Sequence, residues 1–339
     1  MFDYQGYSEK KLLALCDARL AAGRPCQTPY WTSEHYSIGS FLREYAGYPS
    51  WLPLYVYAQH GATNDPQIAR HEIENDAEAM LVFNREALNN FKAVSDKPCH
   101  LVTMPYALHR RANNIIQSPT ARGTLAFPCH STMEIDVVFD LAAYVKELRA
   151  LPDEFQPVSI CLHRSDIVKG LYKNFMEQGF SVYTAGSPEG IFFGHKLYDL
   201  MRHFKYTTSN HVGSYTYYSV EMGIPFSLVG EDGQLINKSD PNIPVGPMDM
   251  AASKYYQEEQ RVFAGIHTEI SPAQKEFVEI VLGIDQGLTG QELRQVLTTA
   301  YQARGGHYLK DAAKALKWQL KQKRRQVKRA VMGALKMGP

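Results

Sequence analysis

The chain has 339 residues, of which 45% are hydrophobic and 21% charged, and its formal net charge is +1. This composition is typical of a globular enzyme, and the length favours two domains over one. No apolar run approaches the roughly 18 residues of a membrane span, and the first residues lack the basic and apolar regions of a secretory signal. The five scattered cysteines favour reduced thiols in the cytosol over disulfides or a zinc site.

Residues 1–118 form a predicted N-terminal, acceptor-side α/β domain. Strands are predicted at 54–58, 79–83 and 100–104, with a helix over 85–93. Because strands and helices alternate, the sheet should be parallel.

A loop with a candidate base follows the first predicted strand. It contains His60, Gly61 and Asp65. A histidine at a strand end is suited to accept a proton from an acceptor hydroxyl, and Asp65 could do the same or orient His60. The alternative is a buried histidine with a purely structural role.

Residues 119–265 form a predicted second domain, which binds the donor, and residues 266–339 form a helical tail. The predicted strands of the second domain are 123–127, 158–162, 181–184, 205–208 and 226–229, and its predicted helices include 136–151, 166–178 and 190–203. Five strands with intervening helices and short loops predict a doubly wound, Rossmann-like sheet.

Three strand ends of the second domain carry imidazoles and hydroxyls. Ligands of doubly wound sheets bind at the carboxyl ends of the strands, and helix N-termini there favour anions. The alternative is that each polar side chain only caps the helix that follows it. The candidate donor-binding residues are His130, Ser131, Thr132, His163, Arg164, Ser165, Thr208, Ser209, Asn210, His211 and Ser214.

Several common motifs are missing from the sequence. It contains no G-x-G-x-x-G after a strand, no G-x-x-x-x-G-K-[ST] and no G-x-S-x-G, which disfavours dinucleotide redox chemistry, P-loop hydrolysis and serine hydrolysis. No Asp-x-Asp sequence occurs that could carry a cation bound to a diphosphate. We therefore expect no metal and no cofactor, although metal dependence stays open.

The C-terminal segment Lys310–Lys336 has ten basic residues and a single acid, Asp311. Apolar residues, including Leu316, Trp318 and Leu320, recur near helical spacing. A basic amphipathic helix predicts binding to an anionic membrane surface. One alternative is a solvated helix that packs on its own domain. The other is nucleic-acid binding, which is less favoured because no known nucleic-acid-binding motif accompanies the charge. We expect no nucleic-acid partner.

Two Rossmann-like blocks, with a phosphate site in the second and a candidate base in the first, resemble the GT-B glycosyltransferases. The stretch Ala58-Gln59-His60-Gly61 is similar to the His-Gly loop of bacterial surface-polysaccharide transferases. That group includes capsule Kdo and sialic acid transferases and teichoic acid glycerophosphotransferases. Residues 207–214 and 217–225 are similar to the hydroxyl turn, helix and Gly-x-Pro that hold the donor phosphate in that group, and residues 127–131 to another strand end on the donor side.

The resemblance implies a GT-B-like fold, with two doubly wound domains facing each other across a cleft. It implies transfer of a sugar from a nucleotide-sugar donor to a glycan or lipid-linked acceptor, with His60 as the catalytic base. The expected location is the cytoplasm, at the inner face of the cytoplasmic membrane. The alternatives are a glycerophosphotransferase-type polymer transferase and a non-catalytic protein of the same fold that binds a nucleotide or glycan.

Overall fold

The computed structural model describes residues 2–21, 23–63, 68–241 and 243–335. The strands are β1 (Val56–Ala58), β2 (Ala79–Val82), β3 (Cys99–Leu101), β4 (Thr124–Ala126), β5 (Ile135–Val138), β6 (Val158–Cys161), β7 (Ser181–Tyr183), β8 (Tyr206–Ser209), β9 (Phe226–Leu228), β10 (Gln234–Asn237) and β11 (Gly246–Pro247). The helices are α1 (Glu9–Cys16), α2 (Ile38–Ala46), α3 (Arg70–Glu74), α4 (Arg85–Val94), α5 (Pro105–Ala112), α6 (Leu141–Ala150), α7 (Arg164–Lys169), α8 (Leu171–Glu177), α9 (Phe193–Met201), α10 (Ser214–Glu221), α11 (Lys254–Phe263), α12 (Pro272–Val281), α13 (Gly290–Ala303) and α14 (Tyr308–Leu335). Short 3-10 helices lie at Trp31–Ser33, His35–Ser37, Asp153–Phe155 and Met250–Ala252.

Two parallel sheets form the frame of the molecule, as the sequence predicts. The first has the order β1-β2-β3, and every residue of β1 and β2 is buried. The second has the order β7-β6-β4-β8-β9, with all neighbouring strands parallel. The predicted α/β class with parallel sheets is therefore confirmed.

The order of the second sheet reverses between β4 and β8. The chain moves outward from β4 through β6 to β7 and then returns to place β8 on the other side of β4, where Ala126 pairs with Thr208. The loops after two such strands diverge to opposite faces, which leaves a crevice at their carboxyl ends. The topology thus defines one place where a ligand would bind.

Two of the predicted helices differ in the structure. The segment 136–151, predicted as one helix, begins as strand β5, and only α6 is helical. Strand β5, in which Ile135, Val137 and Val138 are β-branched, pairs antiparallel with β10, and β10 pairs with β11. The segment 166–178 is split into α7 and α8 by Gly170, whose φ of 88° ends the first helix.

The N-terminal segment packs on the second sheet, and the C-terminal part of the chain packs on the first. The N-terminal segment, assigned by sequence to the first block, packs on the second sheet, where the Tyr7 N–H donates to the Val182 carbonyl over 2.8 Å. The segment after α12 returns to the first sheet, where the Met104 N–H donates to the Leu282 carbonyl over 2.9 Å. One hydrophobic cluster contains buried residues of both sheets, so the sheets share a core.

Helix α14 confirms that the basic segment is helical. Its first turns are anchored, because Tyr308 packs against Trp51 with ring centroids 5.0 Å apart and Ala315 is buried. Further along, Leu316, Leu320 and Val327 are exposed. Among the described residues, no helix has both the length and the apolar character needed to cross a bilayer.

Candidate functional site

A cavity of about 330 Å³ lies between the two sheets, at the crevice where the second sheet reverses its order. It receives residues from the loop after β1 and from the loops after β4, β6 and β8. Five of the sequence-predicted site residues line it: His60, His130, His163, His211 and Ser214. The structure therefore brings the candidate base of the first block and the three polar strand ends of the second to one place.

Imidazoles dominate the polar wall of this cavity. The ring centroids of His130 and His163 are 4.5 Å apart, although the two residues follow different strands. The hydroxyl of Tyr36 lies 3.2 Å from Nε2 of His163, within hydrogen-bond distance. His211 follows β8 and lines the same cavity.

His60 stands where the two blocks meet. Its backbone N–H donates to Oε1 of Glu72 over 2.9 Å, and its ring lies 4.8 Å from that of Trp31. Two residues further along, the Ala62 N–H lies 3.4 Å from Oγ of Ser214, at the start of α10. This contact places the His60 loop directly against the turn that follows β8. Asp65, the predicted alternative base, lies outside the described residues.

Three imidazoles of the cavity, those of His60, His130 and His163, are held in their neutral form. Burial, followed by repulsion from neighbouring imidazoles, lowers the pKa of His60 to about 4 and that of His130 to about 4. Burial also holds the pKa of His163 well below its usual range. The side chain of His60 nevertheless remains accessible from the cleft. A neutral imidazole has a free lone pair, so it can accept a proton.

No Lys, Arg, Asp or Glu side chain belongs to the described cavity lining. An anionic ligand would therefore meet imidazoles, the Ser214 hydroxyl and the first amides of α10. The N-cap of α10 is Gly213, which has no side chain to accept bonds from those amides. The N-terminus of this helix can thus receive an external acceptor.

Other predicted donor-binding residues face protein groups instead of the cavity. Around the β4 and β6 loops, Ser131 Oγ accepts from the Val137 N–H at 3.2 Å and Thr132 Oγ1 from the Ile135 N–H at 2.9 Å. Nε of Arg164 donates to the Cys16 carbonyl at 3.0 Å, and Ser165 is buried in the first turn of α7. In these contacts Ser131 and Thr132 accept from strand β5 and Arg164 bonds the end of α1, so they differ from the helix caps of the alternative.

The hydroxyls of the β8 turn are also partnered. Thr208 Oγ1 donates to the Ser227 carbonyl at 2.8 Å, and Ser209 Oγ lies 2.9 Å from the Tyr215 hydroxyl. Asn210 accepts from the Cys129 N–H at 2.8 Å. Within this turn, His211, Val212, Gly213 and Ser214 line the cavity. A donor-binding role for the remaining residues stays a prediction.

Sequence reasoning missed the aromatic part of the wall, above all Tyr36. Tyr36 and Ser37 have φ values of 55° and 67°, a left-handed conformation that is costly for residues other than glycine. The Tyr36 N–H donates to the Pro188 carbonyl and its own carbonyl accepts from the Tyr106 hydroxyl at 2.6 Å. These bonds hold the strained turn so that the Tyr36 ring enters the cavity. Nothing in the local sequence signals it.

No protein-family model, no curated protein and no solved structure matches the chain.

The neutral imidazoles predict a pH-dependent stability. Unfolded histidines bind protons with a pKa of about 6.5, whereas the half-buried His130 has a pKa of about 4 in the folded chain. The unfolded chain therefore binds more protons between these values, so the free energy of unfolding should fall as the pH is lowered from about 6.5 to about 4. His130→Asn should make that fall shallower in urea unfolding measured across this range. His307→Asn, at an exposed histidine, is the control, and an unchanged slope in the His130 variant would contradict the prediction.

Proposed function

We propose that the protein is a glycosyltransferase with a GT-B-like arrangement, which moves a sugar from a nucleotide-sugar donor to a glycan or lipid-linked acceptor in bacterial surface-polysaccharide synthesis. One observation carries the proposal. His60 of the first block lines the same cavity as His130, His163, His211 and Ser214, which come from three strand ends of the second sheet. This arrangement supports a reaction between an acceptor held by one block and a donor held by the other.

The size and chemistry of the cavity support a nucleotide-sugar as the ligand. Its volume of about 330 Å³ lies at the lower end of the range of roughly 300–1,000 Å³ for small-molecule sites. Aromatic side chains of Tyr36, Phe193 and Tyr218 line it and offer faces for a base or a sugar ring. Imidazoles and hydroxyls offer hydrogen bonds to sugar hydroxyls and phosphate oxygens.

In the proposed mechanism His60 deprotonates the acceptor hydroxyl. Its low pKa keeps the ring neutral at pH 7, but it also makes the ring a weak base in the empty cavity. The negative charge of a bound diphosphate would stabilise the imidazolium and raise this pKa. The bound donor would therefore strengthen the base that takes the proton from the attacking acceptor hydroxyl.

The second block would stabilise the leaving phosphate. As the bond to the sugar breaks, negative charge grows on the phosphate oxygens, and groups already aimed at them lower the barrier. The first amides of α10, the Ser214 hydroxyl and the imidazoles of His130 and His211 are the groups available in the cavity wall. The amides and the Ser214 hydroxyl carry no net charge, so the helix dipole supplies part of the attraction.

A panel of nucleotides tests the proposed function. The full chain is heated with UDP-sugars, CMP-sugars and CDP-glycerol, and the melting temperature is recorded for each. A ligand at about 100 times its Kd should add about 2.7 kcal/mol to the free energy of unfolding. A shift with a sugar nucleotide, followed by release of the free nucleotide when acceptor is added, is the expected result.

Other outcomes of the panel separate the alternatives. A shift confined to CDP-glycerol would favour the glycerophosphotransferase. Binding of a sugar nucleotide without turnover across acceptors would favour the non-catalytic binding protein. A melting temperature that no nucleotide changes would contradict the proposal.

Replacement of the proposed base tests the mechanism. His60→Ala should lower turnover by roughly 10²–10⁴-fold with the donor identified in the panel, while donor binding changes much less. His195→Ala is the matched control, because His195 is exposed and does not line the cavity. A folded His60 variant with near-normal turnover would remove His60 from the mechanism.

We further propose that α14 holds the enzyme, on the cytoplasmic side, against an anionic membrane that carries the acceptor. Exposed Leu316 and Leu320 supply apolar contact, and Lys317, Lys321 and Arg324 are exposed near them. Each basic residue near such a surface contributes about 1 kcal/mol to the free energy of membrane binding.

Replacing Lys317, Lys321 and Arg324 by Gln should therefore lower the affinity for phosphatidylserine vesicles at least tenfold, measured by sedimentation at low salt. Lys10, Lys92 and Lys146, exposed elsewhere, are replaced as the control; equal binding of both variants would contradict the proposal.

A further inference from the structure

Three potential metal ligands lie together beside the cavity. Cys129 follows β4, His211 follows β8, and Asp232 follows β9. One donor atom from each lies within 4.8 Å of the other two. We propose that Cys129, His211 and Asp232 bind a single divalent ion of the zinc class, at the edge of the cavity that His211 lines.

The chemical types of the three ligands fit zinc. A thiolate, an imidazole and a carboxylate are all common zinc ligands, whereas magnesium and calcium prefer oxygen donors alone. The thiolate and the carboxylate would bring two negative charges, which balance the charge of the ion. Binding releases the thiol proton to solvent and leaves the ring proton of His211 on Nε2, so that Nδ1 is free to bind the ion and protons and charge are both accounted for.

The distances between the three donor atoms also fit a zinc site. Zinc bonds of about 2.0–2.3 Å place tetrahedral donor atoms roughly 3.5 Å from one another. His211 Nδ1 and Asp232 Oδ1 are already 2.9 Å apart, and the thiol lies within 4.8 Å of both donor atoms. Side-chain movements of roughly 1 Å would therefore close the site around an ion.

The side chain of Asn210 holds the three ligand segments together without the ion. Asn210, 1% exposed, accepts from the Cys129 N–H at 2.8 Å and donates to the Glu231 carbonyl at 3.0 Å. It is also the direct neighbour of His211. A single side chain thus connects all three loops that carry ligands, as is expected of a site formed before its ion binds.

The carboxylate has an outer partner that leaves one oxygen for the metal. The hydroxyl of Tyr256 donates to Oδ2 of Asp232, on the side away from the bond with His211. Hydrogen bonds of this kind orient metal-binding carboxylates. Gly233 then lets the chain pass close to the thiol, because an added Cβ would lie 3.4 Å from Sγ of Cys129 and only 2.5 Å from a methyl group of Val137.

Three protein ligands leave a fourth position of a tetrahedral site, as in zinc sites that bind a water or a substrate oxygen. His211 also lines the cavity, so an ion bound here would touch one residue of the cavity wall. The inference runs against the sequence-based expectation of no metal. It is also independent of the proposed transfer reaction, since it concerns the affinity of the chain for an ion.

Cobalt titration tests the site on the full chain, after treatment with a chelator and in the absence of nucleotide. The wild-type protein should bind a single Co²⁺ with the near-ultraviolet sulfur-to-cobalt charge-transfer band of a thiolate ligand, and Zn²⁺ should displace it. Cys129→Ser should lose that band and His211→Ala should lose tight binding. Cys99→Ser, the same change in β3 of the first sheet, should leave the band intact.

Tyr256→Phe provides a variant that retains all three ligands. It should bind Zn²⁺ roughly 10–100-fold more weakly, and this remains measurable if the ligand variants do not fold. The alternative, a hydrogen-bonded His211–Asp232 pair beside an apolar thiol, predicts no charge-transfer band in the wild type. Absence of that band, its persistence in Cys129→Ser, or unchanged zinc affinity in Tyr256→Phe would each overturn the proposal.

Discussion

The cavity depends on one buried carboxamide, that of Asn210. Its oxygen accepts from the backbone of the loop after β4, and its nitrogen donates to the backbone of the loop after β9, while Asn210 itself follows β8. These bonds set the spacing of three loops at the point where the strand order reverses. A backbone N–H or carbonyl left without a hydrogen bond in this buried position would lower the free energy of unfolding by about 1–3 kcal/mol. In the structure Asn210 shapes the cavity wall through these bonds, and its donor-binding role stays a prediction.

The second constraint is the shared core of the two sheets. Buried residues of the first sheet, such as Leu81 and Phe83, belong to the same hydrophobic cluster as Leu125 and Phe127 of the second. The C-terminal segment reinforces this by returning to the first sheet, where the Leu288 N–H donates to the Leu101 carbonyl at 2.9 Å. The packing of the shared core therefore fixes the position of His60 opposite the loops of the second sheet.

Much of the frame could be predicted because it follows from local patterns. The strands of both sheets are short apolar segments between turn residues, and their observed ends lie close to those predicted. The misprediction of β5 has a physical cause, since its partner β10 lies about a hundred residues away in the chain and helix-compatible residues follow it directly. Of the site, the histidines at the strand ends could be identified, since parallel strands bring their carboxyl ends to one edge. Tyr36 could not, because its entry into the cavity depends on bonds to Pro188 and Tyr106, which are distant in sequence.

The sequence by itself determined the α/β class, the two parallel sheets, the helical basic tail and the strand ends at which polar groups gather. These features depend on the periodicity and turn chemistry of neighbouring residues. Only the tertiary structure decided which of the polar groups reach the cavity. Side chains such as Ser131, Thr208 and Asn210 are turned to backbone partners, and His60, His130 and His163 are left to form the wall. The reason is that a buried hydroxyl or amide must find a partner, and which partner is in reach depends on contacts between distant segments.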